Sequence, residues 1–216
     1  MHAHNDTIWK NLILSDADTI QHHPAPSVAL CLLAVREDAR VLRYIRNQTD
    51  AICLAAVWED GMILQYVQHQ TPEICLAAVY EDGRALQYVQ RQTPEICFAA
   101  VQQNGMALCH VACQTPEICL AAVKEDGEAL KYVIVQDRNI CLAAVCENGL
   151  TLRHVMQQTE EICLFAVQEN GSALRYVQQQ TEEICARALE ADGSCLHYIV
   201  DSTLRRAFRH DMERQG

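Results

Sequence analysis

A motif of 22 residues recurs along this chain, and it constrains the fold more than any other feature. Cysteine recurs at this interval eight times, and leucine, eleven residues further on, accompanies each cysteine. Glycine eight residues after the cysteine and glutamine seventeen after it are nearly as regular. A unit this short cannot bury its own apolar face, so successive copies must stack. The periodic cysteines are Cys31, Cys53, Cys75, Cys97, Cys119, Cys141, Cys163 and Cys185.

Residues that start and end helices recur inside each repeat, and they predict two short helices rather than one long coiled coil. In the stretch QTPEICLAAVYEDG, Thr71 is placed to cap a helix and Pro72 to occupy its first turn. Gly83 then ends the helix, where a left-handed conformation would suit glycine. A second helix follows at once. We expect helices of about ten and about eight residues, which makes the fold all-α, an α-solenoid.

The repeats divide the chain into three parts. Residues 27–202 form eight full repeats of 22 residues. Residues 1–26 are predicted to form a degenerate repeat that caps the N-terminal end, because residues 5–23 align one period upstream of the first full repeat. Thr203 is predicted to cap an arginine-rich amphipathic helix, so residues 203–216 are predicted to form a C-terminal capping helix. Atypical terminal units with polar outer faces are what a stacked array requires.

Composition excludes several classes of function. The formal net charge of −11 disfavours nucleic-acid binding, which needs a basic surface. No stretch has the roughly 18 to 20 apolar residues of a membrane span, so no membrane partner is expected. The N-terminus lacks the layout of a signal peptide. The regular spacing of the cysteines differs from that of a disulfide scaffold. We therefore expect reduced thiols and a cytoplasmic protein.

The periodic cysteine falls at the centre of the apolar arc of the first helix. There a thiol acts as a small hydrophobic group with a raised pKa, although a redox-active or metal-binding column is the alternative. The glutamine seventeen residues later lies near the buried side of the second helix. A buried amide must be hydrogen-bonded, so the glutamines are predicted to bridge successive repeats or to bind loop carbonyls.

The motif EICLAAVKEDGEALKYV, followed by QT, resembles a bacterial repeat family catalogued as domain of unknown function 4116. The resemblance covers about residues 27–202. It implies a helical repeat module of the kind found in multidomain, effector-like proteins of intracellular bacteria, and also in some protists and large viruses. An effector role would place the protein in a host cytosol. The family carries over no catalytic residue.

The outer face of the repeats holds the candidate interface. Apolar side chains replace polar ones at outer positions of repeats four to six, and exposed apolar surface often marks an interaction site. The alternative is that these side chains are core. Trp58 and Tyr80 form a second candidate patch, or they cover neighbouring side chains. The candidates in repeats four to six are Met106, Cys109, Cys113, Ile134, Val135, Leu150 and Met156.

Two clusters suggest chemistry, and each also has a structural explanation. The recurring Glu-Asp-Gly corner, as at Glu81 and Asp82, would form an acidic ridge for Ca²⁺ or a basic partner, or the Asp caps the second helix. Cys109, His110 and Cys113 are thiol and imidazole neighbours without an evident fourth zinc ligand. We expect exposed thiols there, with no metal and no cofactor.

Three functions remain open. The first is a non-enzymatic binding scaffold for a protein partner of unknown identity. The second is self-assembly, as a homodimer or an end-to-end filament. The third, an enzyme, has the least support, because no catalytic motif is present.

Overall fold

The computed structural model describes the backbone of residues 2–215 and the side chains of residues 7–214. Over this range, α-helices alternate with 3₁₀-helices, which we label η, and no strand occurs. The α-helices are α1 His2–Ser15, α2 Val28–Glu37, α3 Asp50–Glu59, α4 Pro72–Glu81, α5 Pro94–Gln103, α6 Pro116–Glu125, α7 Arg138–Glu147, α8 Glu160–Glu169, α9 Glu182–Ala191 and α10 Ser202–Gln215. The 3₁₀-helices are η1 Ala17–His22, η2 Ala39–Tyr44, η3 Gly61–Tyr66, η4 Gly83–Tyr88, η5 Gly105–His110, η6 Gly127–Tyr132, η7 Gly149–His154, η8 Gly171–Tyr176 and η9 Gly193–Tyr198.

The first helix of each full repeat forms as the sequence predicts. The Thr71 side chain accepts a hydrogen bond from the Ile74 N–H, and Pro72 occupies the first turn of α4. Other repeats start in the same way, with serine or aspartate replacing threonine in α2 and α7. Each helix is ten residues long, as expected.

The second element differs from the prediction of an eight-residue helix. It is a 3₁₀-helix of six residues, such as Gly61–Tyr66 in η3. A 3₁₀-helix has three residues per turn, so side chains three apart share one face. Gly61, Leu64 and Val67 follow this spacing and are all buried. The buried face of this element therefore follows a spacing of three residues, and the buried Ile63 beside Leu64 widens it.

The repeated glycine is predicted to end the first helix in a left-handed conformation, and the structure gives it a different role. No described glycine has a positive φ. Asp60 ends α3 in an extended conformation, and Gly61 is the first residue of η3. A Cβ atom at Gly171 would lie 2.7 Å from the carbonyl oxygen of Ala188 in the following repeat. Glycine is present because adjacent repeats approach closely.

The chain forms two compact units, residues 1–113 and 114–216. In the first unit, α1 to α5 pack one against the next, and η1 to η5 do likewise. In the second unit, α6 to α9 form one row and η6 to η9 another, and α10 contacts η9. Each unit is thus a stack of helix pairs with an α-helical face and a 3₁₀ face, which is the architecture of an α-solenoid.

The core lies between the two rows of helices. In α4 the side chains of Ile74, Cys75, Ala78 and Val79 are buried, and corresponding positions are buried in the other full repeats, with small local differences. Leu76 is only half-buried, although the helical wheel places it at the edge of the apolar arc. Over the described residues, no helix is both long and apolar enough to cross a membrane.

The ends of the array add two observations. Ile13 in α1 is fully buried, so the N-terminal helix pair contributes to the core. At the other end, the Asp201 carboxylate accepts hydrogen bonds from the N–H groups of Thr203 and Leu204. Asp201 therefore caps α10, whereas the sequence predicts a Thr203 cap, because the helix begins at Ser202, two residues earlier than a Thr203 cap requires.

Candidate functional site

A ladder of glutamine side chains fixes each repeat to the next. The Gln70 Nε2 donates to the carbonyl oxygen of Tyr88 at 2.9 Å, and the Gln70 Oε1 accepts from the Gln90 N–H at 3.0 Å. The same Nε2 also donates to the carbonyl oxygen of Leu64 in its own repeat. The predicted amide ladder is confirmed. Equivalent bonds between repeats are made by Gln48, Gln92, Gln114, Gln136, Gln158 and Gln180.

The periodic cysteine belongs to this ladder. The Cys75 Sγ donates to the Gln70 Oε1 at 3.6 Å, so one amide oxygen receives both a backbone N–H and a thiol. A thiol fills the space of a small hydrophobic group and supplies a weak donor. Packing and hydrogen bonding together explain the cysteine. The same contact is made by Cys53, Cys97, Cys119, Cys141 and Cys163.

Burial keeps these thiols protonated. It raises the pKa of the Cys75 thiol above its ordinary value, and it raises the pKa of the Cys163 thiol to about 11. The nearby Glu160 carboxylate adds to the shift of the Cys163 pKa. A protonated thiol can donate to an amide oxygen but is a poor nucleophile. The column is suited to holding the repeats together and unsuited to redox or metal chemistry.

The acidic corners cap the 3₁₀-helices. The Asp82 Oδ1 accepts from the Arg84 N–H at 2.9 Å, and Asn104 does the same for Met106 in the next repeat. The Arg84 guanidinium also binds the Asp82 carboxylate and lowers the pKa of that group. Asparagine serves as well as aspartate because only an acceptor oxygen is needed. Among the side chains of residues 7–214, no group of three His, Cys, Asp or Glu residues could hold a metal ion.

The α-helical face of the first unit carries an aromatic patch, which we define as Trp58, Tyr80 and Phe98. Trp58 and Tyr80 occupy the same register near the ends of α3 and α4, and their side chains are 55% and 57% exposed. Phe98 lies on α5 and is also exposed. Phe98 was not predicted from the sequence, because its position holds half-buried leucine in neighbouring repeats.

The second unit carries a turn patch, which we define as Ile134, Val135 and Met156. These side chains are 70%, 77% and 66% exposed. Ile134 and Met156 stand at the same register of adjacent repeats, where their N–H groups donate to Gln114 and Gln136. The alternative that these three residues belong to the core is therefore wrong. Leu150 is half-buried, because its place at the start of η7 turns it partly inward.

The remaining candidates lie in the first unit. Met106 is half-buried, and Cys109 and Cys113 are exposed free thiols. His110 occupies the tyrosine position of its repeat, and its carbonyl oxygen accepts from the Gln92 Nε2. The exposed thiols are thus accessible to reagents.

These features define a tandem helical repeat protein with a uniform framework and variable exposed positions. Residues 93–135, 115–158 and 137–180 each match the family model described as domain of unknown function (DUF4116). The repeats within residues 93–180 are therefore similar to that family, which confirms over this range the resemblance seen in the sequence. Neither the curated proteins nor the solved structures contain a significant match to the chain.

Proposed function

We propose that this protein is a non-enzymatic binding scaffold that presents the aromatic patch to a protein partner. The observation that carries the proposal is the exposure of Trp58 and Tyr80 at one register of neighbouring helices. Exposed apolar side chains that lie together often mark an interaction site. Tryptophan and tyrosine are also enriched among the residues that dominate binding energy.

Charge around the patch defines the chemistry of the partner. Glu59 and Glu81 directly follow the two aromatic residues and are exposed, as are Glu73 and Glu95 near the starts of α4 and α5. A complementary partner therefore has apolar side chains flanked by lysine or arginine. An amphipathic helix with a basic rim is one such partner, since helix faces commonly bind to grooved apolar surfaces.

The test uses a labelled amphipathic peptide of leucine and lysine as the probe. Wild-type protein is compared with Trp58→Glu and Tyr80→Glu in a fluorescence anisotropy titration. Gln168→Glu is the matched control, because it adds a charge at the same register of α8, in the second unit, which does not carry the aromatic patch. We expect each aromatic variant to weaken binding at least about tenfold, as for residues that dominate an interface. Gln168→Glu should bind as wild type.

Equal binding by all three variants would contradict the proposal. Each substitution is at an exposed position, so the free energy of unfolding should stay within about 0.5 kcal/mol of the wild-type value. Thermal denaturation measures this. An amphipathic peptide with glutamate in place of lysine serves as a second control. If it binds equally well, the acidic rim does not select the partner.

Self-association is a second candidate, and the turn patch favours it. Three apolar side chains that are each about two-thirds exposed or more are unusual on a monomer. Val135→Arg tests this function, because an arginine at position 135 remains in solvent when the protein is monomeric. Light scattering at increasing concentration should show a larger mass for wild type than for the variant. A monomeric wild type would contradict self-association.

A further inference from the structure

The 3₁₀ face of the second unit carries a row of basic side chains, one in each of four successive repeats. Each occupies the fifth position of its six-residue 3₁₀-helix, and each is exposed. In the first unit, this position is basic in η2, where the Arg43 Cζ lies 4.6 Å from the Tyr44 ring, and neutral in η3, η4 and η5. The second unit is therefore the part of the chain where basic residues occupy this position in successive repeats. We define the cationic row as Lys131, Arg153 and Arg175, and His197 occupies the same position in the last repeat.

Aromatic rings hold two of these cations in place without neutralising them. The Lys131 Nζ lies 4.9 Å from the centroid of the Tyr132 ring. The Arg175 Cζ lies 4.7 Å from the Tyr176 ring and 5.9 Å from the Tyr198 ring of the next repeat. A cation over an aromatic face keeps its charge and its outward N–H donors. The row is thus oriented before any ligand binds.

The chain's own Glu128 shows how a carboxylate binds at this row. The Glu128 Oε2 accepts from the Arg153 Nη2 at 2.6 Å and lies 3.2 Å from the His154 Nε2. By contrast, no carboxylate among the described side chains forms an ion pair with Lys131 or Arg175. These two cations are available to an external acid.

The spacing of the repeats suggests the form of the ligand. Neighbouring helices pack about 8–10 Å apart. A peptide extended in the polyproline II conformation advances about 3.1 Å per residue with three residues per turn. Every third residue of such a peptide lies on the same face and would therefore meet a new repeat. We propose that the cationic row binds an extended acidic segment of a protein partner, with carboxylates at every third residue.

Net charge favours a peptide over a nucleic acid. The chain has a formal net charge of −11, which repels a long polyanion beyond the row. A short acidic segment can end within the row, where the local charge is positive. This inference does not depend on the aromatic patch, because its residues and its partner chemistry are different.

The experiment uses the full chain and a labelled peptide of serine and glycine with glutamate at every third residue. Fluorescence anisotropy measures its binding to wild type and to the double variant Lys131→Gln/Arg175→Gln. The matched control is Lys124→Gln/Arg187→Gln, which removes the same charges from exposed positions on α6 and α9. A peptide with the same number of glutamates in one block tests the spacing. A single-stranded oligonucleotide tests the alternative ligand.

We expect saturable binding of the spaced peptide, with affinity reduced about tenfold in the double variant and unchanged in the control. Binding should weaken as salt is added, since the contacts are solvated ion pairs. Three results would overturn the proposal: no binding of the spaced peptide, equal losses in both double variants, or tighter binding of the oligonucleotide or the blocked peptide. Circular dichroism confirms that the variants fold.

Discussion

The Gln70 Nε2 donates a hydrogen bond of 2.9 Å to the backbone carbonyl of Tyr88, eighteen residues further along the chain. The bond joins the end of one repeat to the 3₁₀-helix of the next. Its amide oxygen simultaneously binds the Gln90 N–H and the Cys75 thiol. One side chain therefore satisfies polar groups of two repeats, and the same arrangement recurs along each unit.

Removing one amide of this ladder should destabilise the fold. Gln70→Ala leaves the Tyr88 carbonyl and the Gln90 N–H without their partner, and unsatisfied polar groups cost about 1–3 kcal/mol each. We expect the free energy of unfolding to fall by about 2–4 kcal/mol in urea titrations. The control Gln90→Ala removes an exposed amide and should change stability by less than about 0.5 kcal/mol. Equal effects would contradict a structural role for the ladder.

The two glycines Gly171 and Gly193 should respond differently to alanine. A Cβ atom at Gly171 would lie 2.7 Å from the Ala188 carbonyl oxygen, which is backbone and cannot move alone. At Gly193 the nearest atom is the flexible Met212 Cε, at 3.3 Å. Both glycines precede serine, so local sequence is matched.

We expect Gly171→Ala to lower stability by about 1–3 kcal/mol, as for overpacked sites. Gly193→Ala should be neutral or slightly stabilising, because alanine restricts the unfolded chain. Thermal unfolding of the two variants measures the difference. The reverse order of stability would show that the repeats do not approach as closely as described. Ala39 occupies this position in the first full repeat, so the requirement for a residue without a Cβ atom does not apply to every repeat.

Alkylation of the native protein should separate the cysteines into two groups. Cys109, Cys113 and Cys146 are exposed, and the other nine are buried. Partial burial and the Glu169 carboxylate raise the pKa of Cys146, which lowers its thiolate fraction. We therefore expect Cys109 and Cys113 to react with iodoacetamide before Cys146, as followed by mass spectrometry. Fast labelling of Cys75 or Cys141 in folded protein would refute the packing of the cysteine column.

Stability should fall steeply in alkaline solution. Burial raises the pKa of Cys163 from 9.0 to about 11. Below pH 9 the thiol is protonated in both folded and unfolded chains, so its contribution to stability is complete. Between pH 9 and 11 only the unfolded chain loses the proton, which favours unfolding by about 1.4 kcal/mol per pH unit for each such thiol.

Cys163→Ser tests this pH dependence, because serine can still donate to the Gln158 amide but does not ionise in this range. Urea titrations at several pH values between 9 and 11 give the slope of stability against pH. The slope for the variant should be shallower than that for wild type by up to about 1.4 kcal/mol per pH unit, which corresponds to the loss of one titrating proton. An unchanged slope would show that Cys163 titrates alike in the folded and unfolded chains.

The sequence by itself determined the repeat, the first helix and the identity of most core positions. These follow from local rules: Thr71 and Pro72 start α4, and the apolar residues recur at helical spacing. The burial of the periodic cysteines also follows from that spacing, whereas the exposure of Trp58 and Val135 is one of two alternatives that the spacing leaves open. Such features depend on residues a few positions apart, so they can be read directly from the chain.

Only the tertiary structure decided how one repeat meets the next. It showed that the second element is a 3₁₀-helix and that glycine is needed for a close approach rather than a left-handed turn. It also assigned the Cys75 thiol to the Gln70 amide and oriented Arg175 over two tyrosine rings. The physical reason is that these contacts join residues brought together by stacking. A periodic pattern requires that the repeats stack, but it does not specify the distances at which their atoms meet.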